Sequence, residues 1–287
     1  MSMTNFPSQN CICMPGGMAV GRFFVVKRRR AWGLVLVAVM VPLLVAGYWA
    51  WPVVEARMER VIRAIAAGTA SRRLPIYSVW TEEKIAAISF DAAWGADKTR
   101  TILDILDEYG IKTTFFLVTF WVEKYPDEAR EMVARGHEIG LHSSTHPDFT
   151  ALTNAAIREE LTENHRVIKE ITGVEPRLFR PPFGAYNDRV LSVVEDELGY
   201  LTIQWSVDSL DWRDVTPDDI TRRILSRIHP GAIVLFHNNA ESTPAALPRI
   251  LSALQAGGWR IVPISQLLHP GPYTIDHEGR QIPKTKE

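Results

Sequence analysis

From residue 84 onward, short β-branched or aromatic runs alternate with amphipathic stretches, and this restricts the fold more than any other feature of the sequence. Strands are expected near 85–90 (IAAISF), 113–118 (TTFFLV), 138–142 (EIGLH), 177–180 (RLFR), 201–207 (LTIQWSV), 232–237 (AIVLFH) and 260–264 (RIVPI). Helices are expected at 97–109, 126–135, 153–172, 187–198, 217–228 and 244–256. Gly110, Gly136, Gly173 and Gly199 fall just past four helix ends, and Thr153 and Thr216 are N-cap candidates. Repeated strand–helix units imply parallel strands joined by crossovers, so the chain is α/β, its sheet open or closed into a barrel.

In both architectures ligands bind beyond the carboxyl ends of the strands. Asp91, His142, Arg180, Asp208 and His237 each stand at or just past such an end. Taken singly, each has an ordinary explanation. HSSTH (142–146) reads as a capping arrangement or as two imidazoles aimed at one cation, which needs a third ligand or waters. RPPFG (180–184) reads as a turn or as a rigid strand exit that fixes Arg180, DSLDW (208–212) as a polar loop or a carboxylate source, and His237 as a structural histidine or a proton donor. Taken together they suit one reaction. A metal ion polarises an amide carbonyl and its water, Asp91 removes a proton from that water, and His237 protonates the leaving amine. Arg180 keeps Asp91 ionised, Asp211 raises the pKa of His237, and Trp212 with Leu235 walls an acetyl methyl.

The rest of the chain is organised around export. Residues 1–30 carry a charge of +5 with no acidic residue, so the formal net charge of −1 leaves −6 for the remainder. Residues 31–51 are uncharged for 21 positions, long enough at about 1.5 Å per residue to cross a hydrocarbon layer roughly 30 Å thick. Lys27 to Arg30 abut this run, which places the N-terminus in the cytoplasm. The expected organisation is a cytoplasmic basic tail (1–30), a transmembrane signal-anchor (31–52), a stalk (53–83), the α/β domain (84–270) and a tail (271–287). A cleaved signal peptide is the rival reading of the apolar run. Cys11 and Cys13 both precede it, so the exported part has no disulfide. No basic stripe marks the exported part, which argues against a nucleic-acid partner.

In their order and spacing, SFDAAWG, HSSTH, RPPFG, DSLDW and LFH resemble the five motifs of the polysaccharide deacetylases of carbohydrate esterase family four, the NodB-homology domain. FDAAWG with QWSVDSLDW and ALPRIL is similar to its sporulation-associated branch. The resemblance implies a distorted (β/α)7 barrel that removes N-acetyl groups from N-acetylglucosamine or N-acetylmuramic acid units. It gives Asp91 the role of base and His237 that of acid, with Arg180 and Asp211 supporting them. His142 and His146 become ligands of a divalent metal, zinc or cobalt, and a backbone N–H near Phe183 helps hold the oxyanion. Phe183, Tyr186, Trp212, Leu235 and Asp208 are the residues expected to contact the glycan. The family's remaining metal ligand is the second aspartate of the first motif, and here that position is Ala92. Asp97 and Asp208 are the nearby carboxylates that could replace it, and the metal is expected to bind weakly.

The expected function is therefore a membrane-anchored extracytoplasmic metal-dependent deacetylase of peptidoglycan or a related polymer. The alternative is a cell-wall glycan-binding pseudoenzyme with a degraded metal site. A glycoside hydrolase built on Asp208 and Asp211 leaves both motif histidines, Arg180 and His237 without a role.

Overall fold

The computed structural model describes residues 57–58, 72–213 and 215–284. The expected cytoplasmic tail and membrane segment lie outside the described residues. Among those described, no helix is long and apolar enough to cross a membrane. The chain divides into two compact units, Met1–Ala70 and Ser71–Glu287, and the second contains the α/β domain.

The strands are β1 (Ser78–Val79), β2 (Ile85–Ala92), β3 (Thr114–Leu117), β4 (Glu138–Leu141), β5 (Leu178–Phe179), β6 (Leu201–Thr202), β7 (Val207–Asp208), β8 (Ile233–His237), β9 (Arg260–Ile261), β10 (Tyr273–Ile275) and β11 (Arg280–Pro283). A parallel sheet runs β6-β5-β4-β3-β2-β8-β7, with β9 paired to the start of β2. It curls into a distorted half-barrel, one of the two architectures that the strand–helix alternation leaves open and the one that the family resemblance implies.

Strand β2 shows how the sequence produces two cores. All eight of its residues are buried, and side chains alternate between faces. Ala86, Ile88, Phe90 and Ala92 pack outward against Ile102, Leu103 and Leu106 of the helix Thr99–Glu108. Ile85 and Ala87 point inward to Phe116, Leu178, Ile203 and Ile233. The inner row is thus apolar at the base and becomes polar at the mouth, where Ser89 and Asp91 continue it. Each large apolar side chain buried this way contributes about 1.5–3 kcal/mol.

The helices 99–108, 126–134, 154–172, 217–227 and 243–256 lie within two residues of expectation. Thr153 and Thr216 cap as expected, accepting from the N–H groups of Ala156 and Asp219. An unexpected helix, Thr119–Lys124, follows β3 directly, because no turn residue separates them to announce it. The strand expected at 260–264 stops at Ile261 and gives way to a helix at 264–267, since Pro263 cannot donate to a ladder.

The strand expected at 201–207 is two strands on opposite edges of the sheet. Ile203 N–H bonds to Phe179 O at 2.8 Å and Ser206 N–H to Ile233 O at 3.0 Å. Only Gln204 and Trp205 therefore separate the β5 side from the β8 side, and the barrel closes through a bend in one segment. Residues 76–79, expected as stalk, cover this seam from the base. Gln204 N–H donates to Ile76 O at 2.7 Å and Val79 N–H to Gly231 O at 2.9 Å. A Cβ at Gly231 would lie 1.6 Å from Val79 O, so only glycine admits this crossing. Strand β1 also pairs in parallel with β11, which forms a hairpin with β10. The end of the expected stalk and two strands of the expected tail are thus joined in one small sheet.

Gly140 in β4 has a second packing role. A Cβ there would lie 2.5 Å from the Phe116 ring, and that ring lies 4.1 Å beneath the Arg180 guanidinium. Gly140→Ala is expected to lower stability by about 1–3 kcal/mol through overpacking, read as a lower midpoint in chemical denaturation with an unchanged slope.

Candidate functional site

At the mouth of the barrel Asp91 and His237 are register partners on β2 and β8. Each is held by a buried group of opposite charge. Arg180, on the chain leaving β5 and fully buried, donates from Nη1 to Asp91 Oδ1 at 2.7 Å. Its Nη2 donates to Ser89 Oγ at 2.9 Å and to Gln204 O at 3.2 Å. Behind His237, Asp211 Oδ1 accepts from Nδ1–H at 2.8 Å. Asp211 Oδ2 takes the His237 N–H at 2.9 Å and the Thr243 hydroxyl at 2.7 Å. This fixes the imidazole so that Nε2 is the nitrogen left for the cavity.

These pairs shift the two groups in opposite directions. Burial pushes the Asp91 carboxyl up, but Arg180, His142 and His237 outweigh it and hold its pKa below the usual value. Burial pushes His237 down, but the Asp211 hydrogen bond and the charges of Asp211, Asp91 and Asp208 raise it above the usual histidine value. A carboxylate that stays ionised thus faces an imidazole that stays protonated longer, the arrangement of a base beside an acid.

His142 Nδ1 lies 2.7 Å from the Arg180 carbonyl, so Nδ1 carries the proton and the bare Nε2 lies 3.5 Å from Asp91 Oδ2. His146 lies beside it, with ring centroids 5.0 Å apart. Burial, then the neighbouring His142, lower the His146 pKa to about 4. The backbone that aims His146 is left-handed, with φ of 60°, a conformation that costs about 1–3 kcal/mol and persists only where its surroundings enforce it. The helix Asn154–Thr172 does so. Its Glu160 accepts the N–H groups of Ser144 and Thr145, each at 2.8 Å, and Asn164 accepts that of His142 at 3.0 Å.

Asp91, His142, His146 and His237 line one cavity of about 570 Å³, and so do Phe183, Asp208, Trp212 and Leu235. Arg180 and Asp211 stand behind it as supports. Tyr186 is not brought there. Its hydroxyl bonds to that of Tyr77 at 3.1 Å and its ring lies under Arg72, because the chain turns away after Gly184. Trp94, Trp205 and Asn239 line the cavity without having been expected. Trp94, an indole just past the end of β2, was the one with a visible signal.

The donors do not make up the three-ligand metal site that the motif resemblance implies. Among the described residues no group of three His, Cys, Asp or Glu side chains is arranged to hold a metal ion. Ala92 alternates to the helix-side core, fully buried, and does not line the cavity. Of the two substitutes considered, Asp97 is exposed and paired with Lys98. Asp208 lines the cavity, but its Oδ1 is engaged by Leu210 N–H at 2.8 Å.

A curled parallel sheet with an acid and a base at the carboxyl ends of neighbouring strands is the arrangement of a hydrolytic site. The chain belongs to the polysaccharide deacetylase family, whose profile matches residues 78–203. Its members are hydrolases acting on amide bonds. The chain is 34% identical to a peptidoglycan-N-acetylglucosamine deacetylase of Bacillus cereus, over 67% of this chain and 93% of that one. It is 33% identical to protein YlxY of Bacillus subtilis, over 68% of this chain but only 60% of the relative's length. A solved structure of a CE4 family pseudoenzyme from Bacillus anthracis superposes with a TM-score of 0.65 at 36% identity, covering 67% of this chain and 68% of that one. A mutant of that pseudoenzyme is described as having restored enzymatic activity.

In Asp211→Asn the carboxylate that raises His237 is gone, so its imidazole is expected to titrate at lower pH. In Arg180→Met the burial of Asp91 is no longer opposed by the guanidinium, so its carboxyl is expected to titrate at higher pH. Histidine and carboxyl chemical shifts followed by NMR across pH check both directions without requiring turnover.

Proposed function

We propose that this chain is a membrane-anchored, extracytoplasmic deacetylase of N-acetylated cell-wall glycan, with peptidoglycan as its polymer and the sporulation-associated branch as its place in the family. The observation that carries the reading is the pairing of Asp91 with His237 across adjacent strands, each charged by its own buried partner. The similarity to peptidoglycan deacetylases supports the substrate class, and the basic cluster before the uncharged segment 31–52 supports the location.

The roles of the chain's own residues follow from this geometry. The acetamido group enters the cavity with its methyl against Trp212 and Leu235. Asp91 accepts a proton from water as the oxygen attacks the carbonyl carbon, and Arg180 holds the carboxylate in place. His237 donates its proton to the amide nitrogen as the C–N bond breaks, giving acetate and a free amine, and Asp211 stabilises the imidazolium in the meantime.

A second reading, glycan binding without turnover, is favoured by one observation: the position next to Asp91 offers no carboxylate to the cavity. Acetate release from N-acetylglucosamine oligomers by the full chain in detergent, with and without added zinc or cobalt, decides between them. The expected result is release that falls about 10²–10⁴-fold in Asp91→Asn and in His237→Ala. Oligomer binding with no acetate in any arm would establish the second reading instead.

A further inference from the structure

The loop that leaves β5 holds a backbone conformation that its own side chains do not explain. Phe183 is left-handed, with φ of 60° and ψ of 6°, and Gly184 follows with φ of 65°. A left-handed phenylalanine persists only where its surroundings impose it. Yet Phe183 is 71% exposed, and its ring meets that of His146 edge-on with centroids 4.7 Å apart. The side chain is not anchored in a core, so the constraint comes from what holds the backbone.

Gln204, buried in the bend between the two edges of the sheet, supplies that hold. Its Nε2 donates to Gly184 O at 3.0 Å. A Cβ on Gly184 would lie 3.0 Å from the Trp205 ring and 3.1 Å from Gln204 Oε1, so both side chains of the bend pack directly on this glycine. The main chain of Gln204 is fixed in turn. Its N–H donates to Ile76 O at 2.7 Å, and its carbonyl accepts from Arg180 Nη2 at 3.2 Å. One residue therefore bears on the guanidinium behind Asp91 through its backbone and on the loop through its side chain.

The donors of the loop can be followed one by one. Pro181 and Pro182 have no N–H, and Gly184 and Ala185 donate to Pro181 O and Pro182 O, each at 3.0 Å. The Phe183 N–H has no acceptor among the described residues, and Phe183 lines the cavity. A free backbone donor stabilises a developing negative oxygen best when its peptide is already fixed before the reaction.

We infer that Gln204 is a positioning residue, whose amide holds the Gly184 carbonyl and so presets the left-handed Phe183 peptide for the oxygen that becomes negative when the acetamido carbonyl is attacked. This rests on the proposed deacetylase reading and deepens it. Gln204 does not line the cavity, and it acts on the reaction only through the loop.

The sequence contains a single Pro–Phe pair, Pro182–Phe183, so isotope labels on proline carbonyls and phenylalanine nitrogens report one amide by NMR in the full chain in detergent. The probe is acetate at constant ionic strength, since its carboxylate presents a negative oxygen to the same donor. In wild type, acetate is expected to shift the Phe183 amide. Gln204→Met, of similar length but without a donor, is expected to displace that resonance before acetate is added and to weaken acetate binding roughly 2- to 13-fold, the effect of one hydrogen bond. Gln204→Asn keeps an amide one methylene too short to reach Gly184 and is expected to do the same. Gln281, likewise buried, accepts the His269 N–H at 2.9 Å in the small sheet. Gln281→Met is expected to lower the denaturation midpoint while leaving the Phe183 resonance in place and acetate affinity within twofold. In turnover of the N-acetylglucosamine pentamer the Gln204 variants are expected to lose kcat with KM within twofold, because the contact strengthens in the transition state. Gln204 variants that match wild type in the Phe183 resonance and in acetate affinity, or a Gln281→Met that reproduces their effect on both, would overturn the positioning role. A wild-type Phe183 amide that ignores acetate would overturn it as well. Failure of acetate release with the acetate response intact would instead remove the deacetylase reading and leave the hold of Gln204 on the loop standing.

Discussion

A guanidinium with no exposed surface is costly to bury without a counter-charge, and much of the barrel's mouth is arranged around Arg180. Removing one partner from a buried ion pair typically costs about 3–5 kcal/mol, because the remaining charge is left unpaired. The neighbours of Arg180 follow from this. Asp91 supplies the counter-charge, Ser89 and the Gln204 carbonyl take the second nitrogen, and the Phe116 face lies beneath. Ser89 Oγ in turn donates to Val234 O at 2.7 Å, which ties the guanidinium to the strand that carries His237. The ion pair therefore sets the charge of the base and the geometry of the rim together.

The second pair differs in construction. Asp211 is fully buried as a side chain, while His237 keeps about a quarter of its side-chain surface, 26%, open. The carboxylate accepts three hydrogen bonds and stays in place, and the imidazole is the member that can exchange a proton. A fixed charge behind a partly open titrating group is what proton donation requires. The loop carrying His142 and His146 is braced from a third direction by Glu160 and Asn164, four residues apart on one face of a long helix.

How much of this the sequence could reveal depended on the range of the interaction. Alternating apolar runs announced the strands and the helices between them, since burial on one face or both is a local pattern. The polar residues at strand ends were legible for the same reason. The split at 201–207 was not, because Gln204 and Trp205 sit in a run that reads as continuous strand, and only the barrel's curvature shows that its halves serve opposite edges. The pairing of β1 with β11 joins positions about two hundred residues apart (Ser78 with Arg280), which no local pattern records. Glu160 carries no sequence signal that separates it from other helix acids, because the two loop N–H groups it holds belong to Ser144 and Thr145, outside its own helix. Ala92 was visible as a departure from the motif, while the direction of its side chain required the register of β2.

The bend at Gln204 and Trp205 determines what the barrel can admit. Two residues of backbone span at most about 7 Å, so while Ile203 and Ser206 keep their bonds to Phe179 and Ile233 the gap between the two sides stays narrow. Under the proposed function, a long carbohydrate would lie over the lip like a rod laid over a cup and dip in one substituent at a time, so selection among polymers would fall to the rim.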